Sequence, residues 1–476
     1  MGSWSAGAFL FLVAAAFAGA GIAYSRGRIG TLEDYITARG TVGALTAAAT
    51  LVASGMGAWI LFGPAEAATW GGLPTILGYA LGAAVPLLVF IPLGNRLRRL
   101  MPEGHTLTEY VWYRYGRGMY LFTLFVIILY MFVFLAAEIT GMAFIANLVA
   151  GIPLWVTALI VTGATLAYTA YGGLKASIFT DVVQLTLIVP LLAAIVVVGY
   201  LALGGIQPSA AGLAEKAPDL TEWGNLSGLE GGLTFIIAIL AANLFHQGYW
   251  QRVYAVRDRR ALRGGFLIAA AAVVPIVFAM GLFGLAAVGL DKAQTPSVAF
   301  FSVLLGVLPP WLTVGLVILG LALVMSSADT LLNGISSIIA VDLHRAVPEV
   351  RTGFLLRVSR WSTVVLAIPL LLIASQGYSV LYLFLIADLV CAAAVFPVFY
   401  GLYSERYTAR AALSGTLAGL LAGGLLFPDP AMTRGSLFWA FVVAVLVAVV
   451  VSLLLTPRRS TFDLRSLAGA AQHIRG

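Results

Sequence analysis

The sequence predicts an all-α integral membrane protein with about 13 transmembrane helices. Of its 476 residues, 61% are hydrophobic and only 10% are charged, and the mean hydropathy is +1.00. Apolar stretches of about 20 residues, the length of a membrane-spanning helix, recur along the whole chain. A soluble protein carries about 25% charged residues, so a water-soluble enzyme is excluded.

Short polar connections separate the apolar stretches and leave no segment for a soluble domain. The first stretch is predicted to be a span and not a signal peptide, because its basic residues, Arg26 and Arg28, follow it. We expect the spans at 5–24, 42–68, 73–95, 118–149, 153–170, 177–203, 230–251, 264–290, 311–341, 355–375, 379–402, 409–427 and 436–456.

The basic residues indicate how these spans are oriented. If the first span runs from outside to inside, all 27 Lys and Arg residues except Lys216, Lys292 and Arg434 fall on the cytoplasmic side. Cytoplasmic loops are enriched in Lys and Arg, so we expect the N-terminus outside and the C-terminus in the cytoplasm, in a bacterial inner membrane. The net charge of +7 is then an orientation signal, and no nucleic-acid partner is expected.

Five acidic residues fall within predicted spans: Glu66, Glu138, Asp181, Asp329 and Asp388. A charge at the centre of a bilayer costs at least ~2.5 kcal/mol, and no Lys or Arg is predicted in a span core. We therefore expect each carboxyl group to meet a cation from solution, a proton, or a cationic or hydrogen-bonding substrate. The alternative is that it is protonated or hydrogen-bonded between helices.

The ninth span carries a continuous polar face. At 100° per residue, six polar side chains share this face: Ser326, Asp329, Thr330, Asn333, Ser336 and Ser337. The opposite face is apolar and suits packing or lipid. Such a stripe indicates one wall of a hydrophilic path. The alternative, hydroxyl groups that bond to their own helix, does not explain the aspartate.

Two spans contain segments that weaken a helix. Residues 53–59 place two glycines in the second span, and residues 243–251 are polar and interrupted by glycine in the seventh. Each glycine costs about 1 kcal/mol of helix propensity. The two segments lie five spans apart, so the two groups of five spans enter the membrane from opposite faces. Interrupted helices in corresponding positions of inverted halves are typical of a transporter with a binding site at the midplane.

Several motifs together resemble the sodium:solute symporter family. They are ASGMGAWI at 53–60, YGGLKASIFTDVVQ at 171–184, Gln251–Arg252, MSSAD at 325–329 and the segment 406–419. The resemblance covers almost the whole chain. It implies a LeuT-type core of two inverted five-helix repeats, with one extra helix before the core and two after it.

The resemblance also implies a division of the chain. An N-terminal extra helix and cytoplasmic loop would occupy 1–41, and the first repeat 42–203. An extracellular loop would occupy 204–229, the second repeat 230–402, and the two C-terminal helices with a cytoplasmic tail 403–476.

The family's sodium site implies five ligands in this chain. They would be the backbone carbonyls of Ala53, Met56 and Leu323 and the hydroxyls of Ser326 and Ser327. Sodium is thus the implied coupling ion, and no organic cofactor is expected.

Some members of the family imply a second cation position, formed here by Asp181, Ser326, Asp329 and Thr330. Proline-type members have an aspartate where Gly55 stands, so a proline specificity is not implied. Substrate contacts in the family lie beside the two breaks and imply Trp59, Phe62, Glu138, Asn243, His246, Gln247, Tyr249 and Asp388. The alternative for the aromatic residues is ordinary packing.

The predicted function is sodium-coupled symport of a small neutral, zwitterionic or amine-bearing solute by alternating access. The expected partners are this small-molecule substrate and membrane lipid, with the chain a monomer or loose oligomer. Proton-coupled or uncoupled transport on the same scaffold is the alternative. A membrane-embedded enzyme or a sensor is more remote, because no HExxH, GxSxG or paired-cysteine signature occurs and Cys391 is the single cysteine.

Overall fold

A computed structural model describes residues 3–28, 35–346, 352–374, 376, 379–429, 435–459 and 462–470. Among these residues the regular structure is helical, apart from one isolated β-bridge. The α-helices are α1 (Ser3–Ser25), α2 (Ala44–Gly55), α3 (Gly63–Leu100), α4 (Leu107–Tyr115), α5 (Arg117–Ala150), α6 (Leu154–Ala202), α7 (Gln207–Lys216), α8 (Leu226–Leu244), α9 (Gln247–Ala255), α10 (Arg259–Gly289), α11 (Ala299–Leu304), α12 (Pro310–Ala346), α13 (Thr352–Ala374), α14 (Val380–Phe399), α15 (Ala409–Gly424) and α16 (Leu437–Leu454).

Nine helices within the described ranges are long and apolar enough to cross a membrane: α1, α3, α5, α6, α8, α10, α12, α14 and α16. The chain is a multi-pass membrane protein. The predicted count of thirteen spans is not confirmed by these nine.

Two long helices are kinked at a glycine. Gly72 in α3 has φ 65° and ψ −157°, and Gly173 in α6 has φ 54° and ψ −148°. A Cβ atom at Gly72 would overlap the Leu220 backbone, and one at Gly173 would overlap Tyr35. A straight helix of 49 residues, the length of α6, would extend ~74 Å, more than twice the ~30 Å of a hydrocarbon core. The kink at Gly173 falls between the spans predicted at 153–170 and 177–203.

The two predicted breaks are present. The helix α2 ends at Gly55, after which Met56 and Gly57 are extended, and a 3₁₀ helix follows at Ala58–Leu61. The helix α8 ends at Leu244, and α9 begins at Gln247 after an extended His246. A helix terminus leaves backbone groups without helical partners, so each break offers backbone groups to other residues. The Trp59 ring N–H donates to the Gly55 carbonyl at 3.1 Å, and the Trp250 ring N–H donates to the Leu244 carbonyl at 2.8 Å.

The helix α12 lies at the centre of the packing. In the most apolar 18-residue stretch of α12, 78% of the residues are buried. The corresponding share is 33% in α1 and 28% in α16. It packs against α2, α5 and α6, while α3 packs against α8 and α10. Large apolar side chains such as Trp4, Leu159 and Leu446 remain exposed on the outer helices. This distribution suits a bundle with a polar centre and an apolar outer surface.

Backbone hydrogen bonds join the start of α2 to the end of α9. The Val42 N–H donates to the Ala255 carbonyl at 3.0 Å, and the Arg257 N–H donates to the Val42 carbonyl at 3.0 Å. The two broken helices are therefore tied together at one end.

Candidate functional site

The polar face of α12 is enclosed by protein, as predicted. Ser326, Ser327, Asp329 and Thr330 are fully buried, and Asn333, Ser336 and Ser337 are nearly so. The opposite face is also buried, at Leu331 and Ile335 for example. It therefore packs against other helices, and the hydroxyl and carboxyl groups of α12 face neighbouring helices in the interior.

Glu138 of α5 connects the break in α2 to α12. Its side chain is fully buried, and its Oε2 accepts hydrogen bonds from the Ala58 N–H at 2.7 Å and the Ser327 hydroxyl at 2.8 Å. A Cβ atom at Gly57 would overlap both carboxyl oxygens of Glu138. Glycine at 57 is therefore what allows the carboxyl group to approach the broken backbone. We call this arrangement the Glu138 bridge.

The five residues of the implied sodium site belong to the two parts of the chain that this bridge joins: Ala53 and Met56 lie at the end of α2, and Leu323, Ser326 and Ser327 lie on α12. Helix α2, which carries Ala53, packs directly against α12. Because α2 ends at Gly55, its last carbonyls lack helical partners. The Ser327 hydroxyl also lies 3.0 Å from the Leu323 carbonyl, and the Ser326 hydroxyl donates to Asp181 Oδ1 at 2.5 Å. A hydroxyl that donates its proton keeps its oxygen lone pairs for a cation.

Asp181 of α6 forms a buried ion pair with Arg252 of α9. The Arg252 Nη2 lies 3.0 Å from Asp181 Oδ2, and both side chains are fully buried. Thr50 also donates a hydrogen bond to Oδ2. The same Nη2 donates to the Thr330 hydroxyl at 2.8 Å. We call these residues the Asp181–Arg252 cluster.

The expectation that the buried carboxyl groups have no basic partner is therefore wrong for Asp181. The predicted seventh span ends at 251, which places Arg252 in a cytoplasmic connection. Helix α9 continues to Ala255, and the guanidinium reaches across to α6. Chain position alone does not tell where a long side chain places its charged end.

Asp329 is surrounded by hydroxyl donors. Its Oδ1 accepts from Ser177 at 2.6 Å, and its Oδ2 accepts from Tyr168 at 2.7 Å and from Thr180 at 3.1 Å. The four residues of the implied second cation position form two hydrogen-bonded pairs, Ser326 with Asp181 at 2.5 Å and Thr330 with Asp329 at 3.2 Å. The Arg252 guanidinium bonds Asp181 and Thr330 and so connects the two pairs.

The sequence contained an overlooked signal for these partners. Ser177, Thr180, Asp181 and Gln184 recur at helical spacing in α6, and all four are buried. This spacing predicts a second polar stripe that faces the one on α12. Ser177 and Thr180 of this stripe, together with Tyr168, supply hydrogen-bond donors to Asp329.

A cavity of about 50 Å³ lies beside the two breaks, between α2, α3, α5, α8, α9, α10 and α14. Four of the implied substrate residues line it: Trp59, Asn243, Tyr249 and Asp388. The sequence did not indicate three further lining residues, Tyr79, Tyr130 and Phe134, because they lie away from the breaks along the chain.

The other four implied substrate residues make different contacts. Phe62 packs on Phe301 with 4.9 Å between ring centroids, and His246 stacks on Tyr249 at 4.6 Å. Gln247 bonds the His105 carbonyl at 3.0 Å and the Leu107 N–H at 3.1 Å, which ties α9 to the start of α4. Glu138 forms the bridge described above.

Comparison with known proteins gives three findings. Residues 35–419 match the model of the sodium:solute symporter family. The chain is 26% identical over 448 residues to the spermidine transporter DUR31 of Candida albicans, which covers 88% of this chain and 83% of that protein. It is 25% identical over 393 residues to the urea-proton symporter DUR3 of Oryza sativa subsp. japonica, which covers 72% of this chain and 53%, about half, of that protein.

The fold is similar to that of a solved Na⁺-coupled sialic acid symporter in a substrate-bound outward-open state. The TM-score is 0.76 at 19% identity, over 96% of this chain and 99% of the other. The predicted all-α, LeuT-type fold class is therefore confirmed. The boundaries predicted for the two repeats stay predictions.

Proposed function

Because the chain belongs to the sodium:solute symporter family and is a transporter, we propose that it imports a small solute together with sodium by alternating access. The membrane is proposed to be a bacterial inner membrane, with the N-terminus outside. The observation that carries the proposal is that Ser327, buried on α12 beside the buried Ser326, is joined through Glu138 to Ala58, just beyond the end of α2.

The proposed sodium ligands are the carbonyls of Ala53, Met56 and Leu323 and the hydroxyls of Ser326 and Ser327. A monovalent cation in a membrane protein is held by hydroxyls and by carbonyls freed where a helix unwinds. These five oxygens carry no formal charge. The Glu138 carboxylate, one hydrogen bond from Ser327, would supply negative charge and hold the Ser327 oxygen with its lone pairs free. We therefore assign Glu138 a positioning role in sodium binding.

A second cation at Asp181, Ser326, Asp329 and Thr330 remains a prediction. Arg252 already bonds Asp181 and Thr330. A metal cation could occupy this position only if the guanidinium moved away.

The driving force is sufficient for uptake against a gradient. A tenfold inward sodium gradient gives ~1.4 kcal/mol, and a membrane potential of ~100 mV gives ~2.3 kcal/mol per charge. Their sum of ~3.7 kcal/mol supports roughly 500-fold accumulation of a neutral solute for each sodium ion.

Sodium-gradient uptake into proteoliposomes tests the proposal. We expect a panel of radiolabelled solutes to include one whose uptake requires an inward sodium gradient, and the double variant Ser326→Ala, Ser327→Ala to abolish that dependence. Ser337→Ala is the matched control. The Ser337 hydroxyl is buried on the same helix and donates to the Gly334 carbonyl of that helix at 2.8 Å. Full sodium dependence in the double variant would overturn the assigned site.

Proton coupling is the second candidate, and the similarity to a urea-proton symporter favours it. On this alternative Glu138 or Asp329, which bond hydroxyl and amide donors, would carry the proton. Uptake that collapses with a protonophore and persists without sodium would support it against sodium coupling.

A further inference from the structure

Asp388 of α14 is a buried carboxyl group with an incomplete set of partners. Its side chain is 4% exposed, it lines the cavity beside the breaks, and its Oδ1 has no hydrogen-bond partner. A buried acceptor left unpaired destabilises the protein, and more so when it is charged. A bound molecule that donates a hydrogen bond to this oxygen would remove this destabilisation.

The cavity presents aromatic rings around this single acid. Trp59 stacks on Tyr79 with 5.7 Å between centroids, and Tyr130, Phe134 and Tyr249 also line the cavity. None of the eighteen lining residues, all in the described part of the chain, is Lys, Arg or His. Aromatic faces attract cations through the ring quadrupole, and a carboxylate attracts them directly.

The other acids near the breaks have partners of their own. Asp181 is paired with the Arg252 guanidinium. Asp329 accepts hydrogen bonds from four hydroxyl groups, those of Ser177, Tyr168, Thr180 and Thr330. Glu138 accepts an amide and a hydroxyl hydrogen bond on Oε2, and its Oε1 has no hydrogen-bond partner. Of these four acids, Asp388 is the one that lines the cavity, so its charge is the one that a ligand bound there can reach.

We propose that the cavity binds a small organic ammonium ion, with Asp388 as its counter-charge and the aromatic rings around its apolar part. This inference rests on the proposed transport function and names its substrate class. The ligand has a short apolar part, which the aromatic side chains that line the cavity contact. It carries N–H groups, because the Asp388 oxygen accepts a hydrogen bond that a quaternary ammonium cannot donate.

Calorimetric titration of the purified full-length protein in sodium-containing buffer tests the inference. The probes are n-butylammonium, tetramethylammonium, urea and glycine. We expect n-butylammonium to bind, tetramethylammonium to bind more weakly because it lacks N–H groups, and urea and glycine to bind least. Stronger binding of urea or glycine than of n-butylammonium would overturn the assignment.

Two variants locate the charge. Asp388→Asn keeps the shape and removes the charge, and we expect it to weaken n-butylammonium binding at least about tenfold. Asp388→Glu keeps the charge and is expected to restore part of the affinity. Asp219→Asn removes an exposed acid and serves as the matched control. Unchanged n-butylammonium affinity in Asp388→Asn would contradict the proposal.

Sodium-induced thermal stabilisation separates this inference from the proposed function. If sodium stabilises the wild-type protein and n-butylammonium does not bind, the substrate class is wrong and the sodium site stands. If sodium has no effect on the wild-type protein, sodium coupling fails whatever the amine result. Stabilisation of Asp388→Asn by sodium shows that this variant is folded. If Asp388→Asn does not fold, the proposal is tested by n-butylammonium binding to Asp388→Glu and by the order in which the wild-type protein binds the four probes.

Discussion

Asp181 and Asp388 are both buried acids near the broken helices, but only one of them has a basic partner. Asp181 bonds Arg252 at 3.0 Å and Ser326 at 2.5 Å. Asp388 lines a cavity whose other residues carry no charge, and its Oδ1 has no hydrogen-bond partner. A buried carboxylate needs compensation in either case. In the first case the fold supplies it, and in the second we infer that the substrate does.

The presence or absence of a basic partner distinguishes acids that hold the helices together from acids that bind substrate. Removing one partner of an internal pair leaves a buried charge and should destabilise the fold. Removing an acid whose partner is a ligand should weaken ligand binding far more than it lowers the stability of the protein. Glu138 lies between these cases, because it accepts hydrogen bonds from Ala58 and Ser327. The following predictions test this ordering, from the largest expected effect to the smallest.

Arg252→Met should destabilise the protein most, because Asp181 then remains buried without its base. Breaking a buried ion pair in this way costs about 3–5 kcal/mol. Chemical unfolding in detergent, followed by tryptophan fluorescence, measures the loss. Arg263→Met removes an exposed arginine near the start of α10 and is the control.

Replacing both members of the pair, as Asp181→Leu with Arg252→Met, should recover much of that stability, because no isolated charge remains. The comparison fails if Arg252→Met costs no more than Arg263→Met. It also fails if the double replacement is no more stable than the single one.

Gly57→Ala should disrupt the Glu138 bridge. The added methyl group overlaps both Glu138 carboxyl oxygens, so the carboxyl group must leave Ala58 and Ser327. We expect sodium-dependent uptake to fall at least about tenfold, as for the loss of a charged hydrogen bond. Gly43→Ala, at the start of α2, is the matched control, because nothing lies within 4 Å of its added Cβ. Equal uptake by the two variants would contradict the role given to the bridge.

Glu138→Gln should weaken sodium binding about tenfold while the protein remains folded, because a neutral acceptor replaces a charged one beside Ser327. The half-saturating sodium concentration for uptake measures the effect. Thr140→Val is the control, because this buried hydroxyl on α5 only bonds the Ala136 carbonyl. An unchanged sodium requirement would remove Glu138 from the sodium site.

Asp258→Ala should have the smallest effect and extends the comparison to an exposed acid. The Asp258 side chain accepts a hydrogen bond from the Ala261 N–H at the start of α10, which lowers the pKa of its carboxyl group. Its stabilisation is therefore present above the ordinary pKa of about 3.9 and is lost as the pH falls through the lower folded value.

The thermal unfolding temperatures of the wild type and Asp258→Ala should therefore converge as the pH falls through this range. Asp258→Asn can still cap the helix, and its stability relative to Asp258→Ala should not follow that pH dependence. A difference between wild type and Asp258→Ala that stays constant with pH would exclude the ionised cap.

The periodicity of the chain was enough to predict the inward face of α12 and the two helix breaks. Ser326, Asp329 and Thr330 share a face by spacing alone, and the structure buries all three. The glycines at 55 and 57 weaken one short stretch, and α2 ends there. Backbone propensity and hydrophobic period are local properties, so the sequence expresses them directly.

The partners of each buried acid could not be predicted in this way. Arg252 lies 71 positions from Asp181, and Glu138 lies 189 positions from Ser327. Trp59 and His246 lie equally close to a break along the chain, yet only Trp59 lines the cavity. Contacts of this kind depend on how whole helices rotate and pack.

The amino-acid sequence by itself determined that this chain is a helical membrane protein, where two of its helices break, and which side chains on α12 face inward. These features follow from composition and from the 3.6-residue period. Only the tertiary structure decided that Asp181 is paired with Arg252 while Asp388 faces an aromatic cavity. The physical reason is that compensation of a buried charge depends on the distance between atoms of different helices, which no local pattern specifies.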